Sequence, residues 1–365
     1  MTGSVSEDRY YMRKALNLSL RGKGNTWPNP SVGTIIVKNK NIVSIGWTQP
    51  KGNPHAEIIA LNKDKKLLNG ATLYSTLEPC SHFGKSPPCV DAIIKSKIKR
   101  VVIATLDPNP EVNGKGVEKL KLNNIQVSVG ILKDEAKKIN LGFFQKMSKS
   151  IPSISTKIAI SRNGKITDPR HNWITSESSR LYGQFLRAKY DAVLTGINTV
   201  LKDNPLFTCR LPGMEKYSPV RIILDSNLKI KENLRIVKTS KRINTYIFTS
   251  NNLNKLKIKK LRKQGLKIIF IEPLFKQVNI HKMLKKLSNM GINNILLESG
   301  VKLNSTFFLK NLINRIYYFE SPKIIKFGGL SLFKELKIKK IDDLKFKIIS
   351  IKKIINDKLK IYEKL

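Results

Sequence analysis

His55-Ala56-Glu57 and, further on, Thr76-Leu77-Glu78-Pro79-Cys80-Ser81-His82-Phe83-Gly84-Lys85-Ser86-Pro87-Pro88-Cys89 form the stretch that decides how the chain is read. One imidazole and two thiolates are three soft ligands of the kind zinc takes. A structural zinc site closes with four protein ligands, whereas a catalytic one keeps its fourth place for water. No further Cys or His completes a finger-like spacing, so the expectation is one open zinc site on His55, Cys80 and Cys89. Glu57, two residues after His55, can move a proton there without ligating the metal.

Each piece alone is weak. His-Ala-Glu is a common tripeptide, and two Pro-Cys pairs can be buried turns with inert thiols. The joint occurrence decides: of only three Cys and four His, two Cys follow a His-x-Glu in the right order. H-x-E followed by P-C and a second Cys is the zinc deaminase signature, with Glu57 as its acid–base residue.

The bulk numbers set the frame. A chain of 365 residues is most simply two domains. The short polar joint Ser148-Lys149-Ser150 suggests domains at 1–148 and 152–365. Three Cys without framework spacing argue against a secreted disulfide scaffold and for a reducing compartment. Met1 to Tyr10 lacks the apolar core of a signal peptide, and no apolar run approaches the ~18 residues of a membrane span. The reading is a cytoplasmic protein without a membrane partner. A net charge of +42 usually points to nucleic acid. Here the lysines are spread along the chain among Ile and Asn, as in Lys255-Leu256-Lys257-Ile258-Lys259-Lys260. That reads as compositional bias, giving a solvated basic surface with no specific nucleic-acid partner and a pull toward phosphorylated substrates.

Along the first half, Ser6 is expected to cap a helix whose acidic first turn is Glu7 and Asp8 and whose apolar stripe is Met12, Ala15, Leu16 and Leu20. Strands are expected at 34–37 and 42–47 around an Asn39-Lys40-Asn41 turn, at 72–75, at 100–106 and at 125–129. A helix over 55–68 would carry His55 and Glu57 in its first turn, and a second over 90–97 would follow Cys89. In the second half, strands fit 154–160, 192–195, 220–225, 245–249, 267–271, 294–298 and 316–320, and helices fit 177–189, 252–264 and 280–290. The alternation indicates layered α/β domains. Gly114-Lys115-Gly116 lacks the third glycine of a dinucleotide fingerprint, so a nucleotide site in the second half is not a Rossmann one. Glu298-Ser299-Gly300-Val301 could open a helix and seat a phosphate, although a tight turn is the plainer reading.

These residues together resemble the bifunctional riboflavin-biosynthesis deaminase–reductases over nearly the whole chain. The resemblance rests on Asn29-Pro30-Ser31-Val32-Gly33, His55-Ala56-Glu57, Thr76 through Cys89 and Asp107-Pro108-Asn109-Pro110. In the second half it rests on Asn172 to Ser176, Arg187, Thr199 to Pro205, Arg210, Asp225-Ser226 and Glu298-Ser299-Gly300. Eight residues separate Cys80 from Cys89, where cytidine and tRNA-adenosine deaminases usually have two, which favours the riboflavin branch.

The resemblance implies a cytidine-deaminase-like α/β/α domain joined to a dihydrofolate-reductase-like α/β domain, one zinc, NADPH and a homodimer. It implies deamination of 2,5-diamino-6-ribosylamino-4(3H)-pyrimidinone 5′-phosphate, then reduction of the ribosyl chain to ribityl. Asn29, His82 and Lys85 would then hold the first substrate. His171, Arg187, Phe207, Arg210 and Glu298 would hold the second, and Ala159, Trp173, Thr199, Asp203, Ser226 and Gly300 the cofactor. Two positions depart from the family pattern: Asn163 stands where Asp is usual, and His171 where a small hydroxyl residue is usual. Two rivals stand beside this reading, a base deaminase of nucleic acid and a zinc-stabilised module whose reductase half has decayed.

Overall fold

Asn39 and Lys40 both adopt left-handed backbone, with φ of 51° and 62°, and so fold strand β1 (Gly33–Lys38) back onto β2 (Asn41–Trp47). This hairpin edges the first of two units into which the computed structural model divides, Met1–Ser150 and Ile151–Leu365. The residues described are 4–84, 87–171, 173–250, 254–338 and 340–365.

The first unit holds a five-stranded sheet ordered β2-β1-β3-β4-β5, with β3 at Thr72–Ser75, β4 at Arg100–Ile103 and β5 at Gln126–Val129. The pairs β1–β2 and β1–β3 are antiparallel, and β3–β4–β5 are parallel. Alternation along β1 serves two cores. Ile36 packs with Leu73, Val101, Val90 and Ile93 on one face, while Ile35 and Val37 pack with Tyr74, Met12 and Leu16 on the other. Helices therefore cover both faces, giving the expected α/β/α layering.

Three sequence expectations are corrected here. The first helix is Val5–Ser19, and its N-cap is Ser4, whose hydroxyl accepts from the Glu7 amide, instead of Ser6. Leu20 lies past the helix end and is exposed, so the buried stripe is Tyr11, Met12, Ala15 and Leu16. Asp8 does more than complement the helix dipole: it is buried, meets both terminal nitrogens of Arg100 at 2.8 and 2.6 Å, and accepts from Tyr74 at 2.9 Å. The 55–68 helix is two short ones, Ala56–Leu61 and Lys65–Leu68. Asp64 accepts from the Lys66 amide and caps the second, which interrupts the first. Helices Lys115–Leu122, Lys133–Ile139 and Leu141–Lys149 complete the unit and were not anticipated individually.

The second unit holds a nine-stranded sheet. In chain order its strands are β6 (Ser153–Ser161), β7 (Ala192–Gly196), β8 (Val220–Leu224), β9 (Thr245–Thr249) and β10 (Lys267–Phe270). After a small hairpin, β11 (Pro273–Leu274) and β12 (Gln277–Val278), come β13 (Asn294–Leu297), β14 (Ile313–Ser321), β15 (Phe346–Ile354) and β16 (Asp357–Lys364). The order is β10-β9-β8-β7-β13-β6-β14-β16-β15. All neighbours from β10 to β14 are parallel, and the closing β15–β16 hairpin is antiparallel.

Strand order reverses where β13 lies between β6 and β7. In open parallel sheets ligands bind beyond the carboxyl ends at such a reversal. The segment after β13 is a helix opening, not a free turn: Gly300 is the N-cap of Val301–Leu309. Among the described residues, no helix is long and apolar enough to cross a membrane.

Candidate functional site

His55 caps helix Ala56–Leu61, and Cys89 begins helix Cys89–Lys95. His55 thus stands just before the helix, one position outside the expected first turn, while Glu57 lies within it. Loop residue Cys80 completes the set, and the donor atoms of His55, Cys80 and Cys89 all lie within 4.8 Å of one another. The His55 Nδ1 atom is 3.3 Å from Cys89 Sγ and 3.6 Å from Cys80 Sγ. Tetrahedral zinc with these ligands requires N–S separations of about 3.6 Å and S–S separations of about 3.8 Å. The donor set fits zinc in chemistry and in spacing.

The two thiols share the charge unevenly. Cys89 and His55 donate to the Cys80 sulfur and hold its pKa at about 4, while that same contact and burial raise the Cys89 thiol. The Cys89 amide donates to the Cys80 sulfur at 3.3 Å. Glu57 is buried, and burial raises its pKa above the carboxylate range, opposed by His55. The Ser75 hydroxyl, on β3, donates to Glu57 Oε1 at 3.0 Å. A buried carboxyl of raised pKa beside three metal ligands is equipped to take up and return a proton.

Neighbouring residues fix this geometry. Asn29 Nδ2 donates to the Gly52 carbonyl at 3.0 Å and lies 3.4 Å from His55 Nε2. Gly52 has φ 81°, and a Cβ there would come within 2.5 Å of that same Asn29 nitrogen, so only glycine fits. His82 Nδ1 is buried with no hydrogen-bond partner among the described residues, an orphan polar atom suited to a ligand. Lys85 lies outside the described residues. Sequence reasoning assigned no role to Glu78, yet it is a clamp: its oxygens accept from the amides of Asp107, Gly114, Gly116 and Val117 at 3.0–3.2 Å. It thereby ties the Cys80 loop to the start of helix Lys115–Leu122. Nearby Asp107 is pushed up to about 6, chiefly by burial.

In the second unit Glu298 follows β13 and Arg187 ends helix Glu177–Ala188. Arg187 meets Glu298 with two parallel bonds of 2.6 and 2.9 Å, and its Nη1 donates to the Thr208 carbonyl at 3.1 Å. Burial works against the Glu298 charge, but Arg187 outweighs it and holds the carboxyl below its ordinary range. Phe207 lies beneath the Arg187 guanidinium at 5.4 Å, and Arg210 Nη1 donates to Thr208 Oγ1 at 3.3 Å. The structure thus joins Arg187, Phe207, Arg210 and Glu298. It also brings Thr199 to Gly300, where a Cβ would stand 3.8 Å from the Thr199 hydroxyl.

The other candidates are spread more widely. Exposed His171 and Trp173 lie on the loop before helix Glu177–Ala188, with Arg180 4.8 Å from the Trp173 ring. Ala159 is on β6, Asp203 ends helix Ile197–Asp203, and Ser226 follows β8. Lys157 on β6 was missed. Burial lowers its pKa, Glu298 opposes the shift, and nothing in the local sequence separates it from the many surface lysines. Asn163, the departure from the family pattern, is fully engaged. Its Nδ2 donates to the Ile325 carbonyl at 2.9 Å, and its Oδ1 accepts from Ser161 Oγ and the Ile325 amide.

A zinc-dependent deaminase unit followed by an α/β reductase unit is the class this fold and these sites define. Residues 5–105 match the family model of the cytidine and deoxycytidylate deaminase zinc-binding region, and residues 152–360 match that of the RibD C-terminal domain. The riboflavin biosynthesis protein RibD of Aquifex aeolicus is 42% identical over 327 residues, 89% of each chain. The Acinetobacter baumannii RibD structure superposes with a TM-score of 0.87 at 31% identity over 99% of both chains. A Thermotoga maritima diaminohydroxyphosphoribosylaminopyrimidine deaminase/5-amino-6-(5-phosphoribosylamino)uracil reductase gives 0.82 at 33% identity, again over 99% of both chains.

The chain belongs to the RibD family of riboflavin biosynthesis proteins. It is a bifunctional zinc deaminase and NADPH-dependent reductase acting on a small-molecule substrate, with a cytidine-deaminase-like first domain and a dihydrofolate-reductase-like second.

Proposed function

We propose that this chain deaminates 2,5-diamino-6-ribosylamino-4(3H)-pyrimidinone 5′-phosphate within residues 1–148 and reduces the product's ribosyl chain within residues 152–365. The observation that carries the first step is the buried Glu57, fixed by Ser75 beside the His55, Cys80 and Cys89 donors. Those three hold the zinc, which when bound lowers the pKa of water enough to supply hydroxide near neutral pH. Glu57 takes the proton and passes it to the departing ammonia. Asn29 and the orphan Nδ1 of His82 orient the pyrimidine, and Lys85 meets the 5′-phosphate.

For the second step NADPH, when bound, would supply the hydride that reduces C1′ of the opened ribose. Ala159, Trp173, Thr199, Asp203, Ser226 and Gly300 seat the cofactor. Glu298 stands at the substrate, oriented by Arg187. His171, Phe207 and Arg210 complete that side, with Arg210 on the phosphate. The protein works in the cytoplasm as a homodimer, and its +42 charge serves anionic small molecules with no specific nucleic-acid partner.

Product analysis with and without NADPH tests this. Without it, ammonia and the deaminated ribosylamino compound should form. With it, the ribitylamino compound should appear with stoichiometric NADPH oxidation. Ammonia release without any NADPH oxidation would leave a deaminase whose reductase half has decayed.

A further inference from the structure

Arg221 lies on the interior strand β8, is 1% exposed, and forms an ion pair with no carboxylate among the described residues. Burial alone pulls its pKa down to about 10, so the guanidinium is still charged near neutrality. Among the described residues its hydrogen-bond partners are all neutral oxygens. Nε and Nη2 donate to Thr245 Oγ1 at 2.9 and 2.6 Å, and Nη1 donates to Thr239 Oγ1 at 2.7 Å. Three backbone carbonyls complete the set: Leu206 from Nη1 at 3.2 Å, and Ile236 and Ile243 from Nη2 at 2.9 and 3.3 Å. A buried charge without a counter-ion is costly, and a well-packed apolar side chain in its place is often neutral or stabilising. Stability of the strand therefore gives no reason for an arginine here.

The Leu206 carbonyl suggests one. It immediately precedes Phe207, whose φ of 52° is a strained conformation for an aromatic residue. Immediately after Phe207, the Thr208 carbonyl accepts from Arg187. Two guanidiniums thus grip the carbonyls on either side of one strained residue. Through Ile236, Arg221 also anchors the helix that begins at Arg235, whose amide donates to Asn204 Oδ1 at 2.8 Å. The turn from Asn204 to Arg210 is held from both ends and from below.

We propose that Arg221 is a positioning residue of the reductase, holding the Leu206–Thr208 turn so that Phe207 and Arg210 face the phosphorylated substrate. It touches neither substrate nor cofactor. The inference rests on the substrate assignment of Phe207 and Arg210 above.

Two variants test it, Arg221→Met, which fills the space without charge, and Arg221→Lys, which keeps charge without the planar fork. Hydrogen exchange of the full chain is read at residues 204–210, and steady-state kinetics at the reductase, with deamination as the internal control. Both variants should exchange faster in that segment and raise substrate KM roughly tenfold, since small misplacements in a site cost this much or more. NADPH KM and the deamination rate should stay within about twofold of the parent. Unchanged exchange at 204–210 would overturn the positioning role, as would NADPH and substrate KM rising together. Faster exchange at 204–210 with an unchanged substrate KM would uphold the brace and overturn the substrate assignment of Phe207 and Arg210. If Met prevents folding, Lys alone decides by the same readings.

Discussion

The Ser75 hydroxyl lies 3.0 Å from Glu57 Oε1 and 2.8 Å from the Leu77 carbonyl, so one hydroxyl serves the carboxyl in both protonation states. When Glu57 is ionised, Ser75 donates to it. When Glu57 carries a proton, it can donate to Ser75, which then donates to Leu77. Ser75→Ala should therefore slow deamination roughly 10- to 100-fold, the worth of one hydrogen bond to a charged group. Ammonia-release kinetics check this, and zinc content and reductase activity should be unaffected.

Glu57→Gln should preserve metal and fold but lower deamination by on the order of 100- to 10,000-fold, because the amide cannot accept and return a proton. Reduction of already deaminated substrate should persist. Ammonia release near the parent rate would remove Glu57 from the role.

One zinc per chain should be found by elemental analysis of the purified protein. A Cys80→Ser, Cys89→Ser double variant should lose it, since two of the three soft ligands become poor ones. Zinc retained in full by that variant would place the metal elsewhere.

The metal centre was legible in sequence because its ligands are rare types in a fixed order, and order survives folding. Most strands were legible because β-branched runs such as Val101–Ile103 stand out even among abundant isoleucine. The β15–β16 hairpin was not. Its turn places Ile355 at φ 51°, a conformation that turn rules assign to Gly or Asn, and its Lys–Ile strands look like the surface bias elsewhere. Glu78, Lys157 and Arg221 were hidden for another reason: their roles depend on partners distant in sequence. The 55–68 helix was overextended because Asp64 looks like any polar residue until its side chain is seen capping Lys66.

Asn163 should behave as a fitted residue. Its Nδ2 donates to the Ile325 carbonyl, which a carboxylate oxygen cannot do. Asn163→Asp would set an acceptor against that carbonyl and cost about 1–3 kcal/mol, read as a lower denaturation midpoint for the second unit. A variant as stable as the parent would show that the loop readjusts to the family's usual residue.

Arginine at position 210 should matter for substrate and not for cofactor. Arg187, expected with Arg210 among the residues that hold the second substrate, has two nitrogens on Glu298 and a third on Thr208, so the fork left near the surface is that of Arg210. The Arg210 pKa is lowered by burial and then by Arg187 and Arg235, a convergence of cations that a phosphate dianion would relieve. A guanidinium meets phosphate with two parallel bonds, and an ammonium cannot copy that geometry. Arg210→Lys should raise substrate KM roughly tenfold, the loss of one good charge-assisted bond, with NADPH KM nearly unchanged. Steady-state kinetics with each ligand varied in turn decide the matter. A fall in NADPH affinity with an unchanged substrate KM would assign Arg210 to the cofactor, and the phosphate would then need another cation.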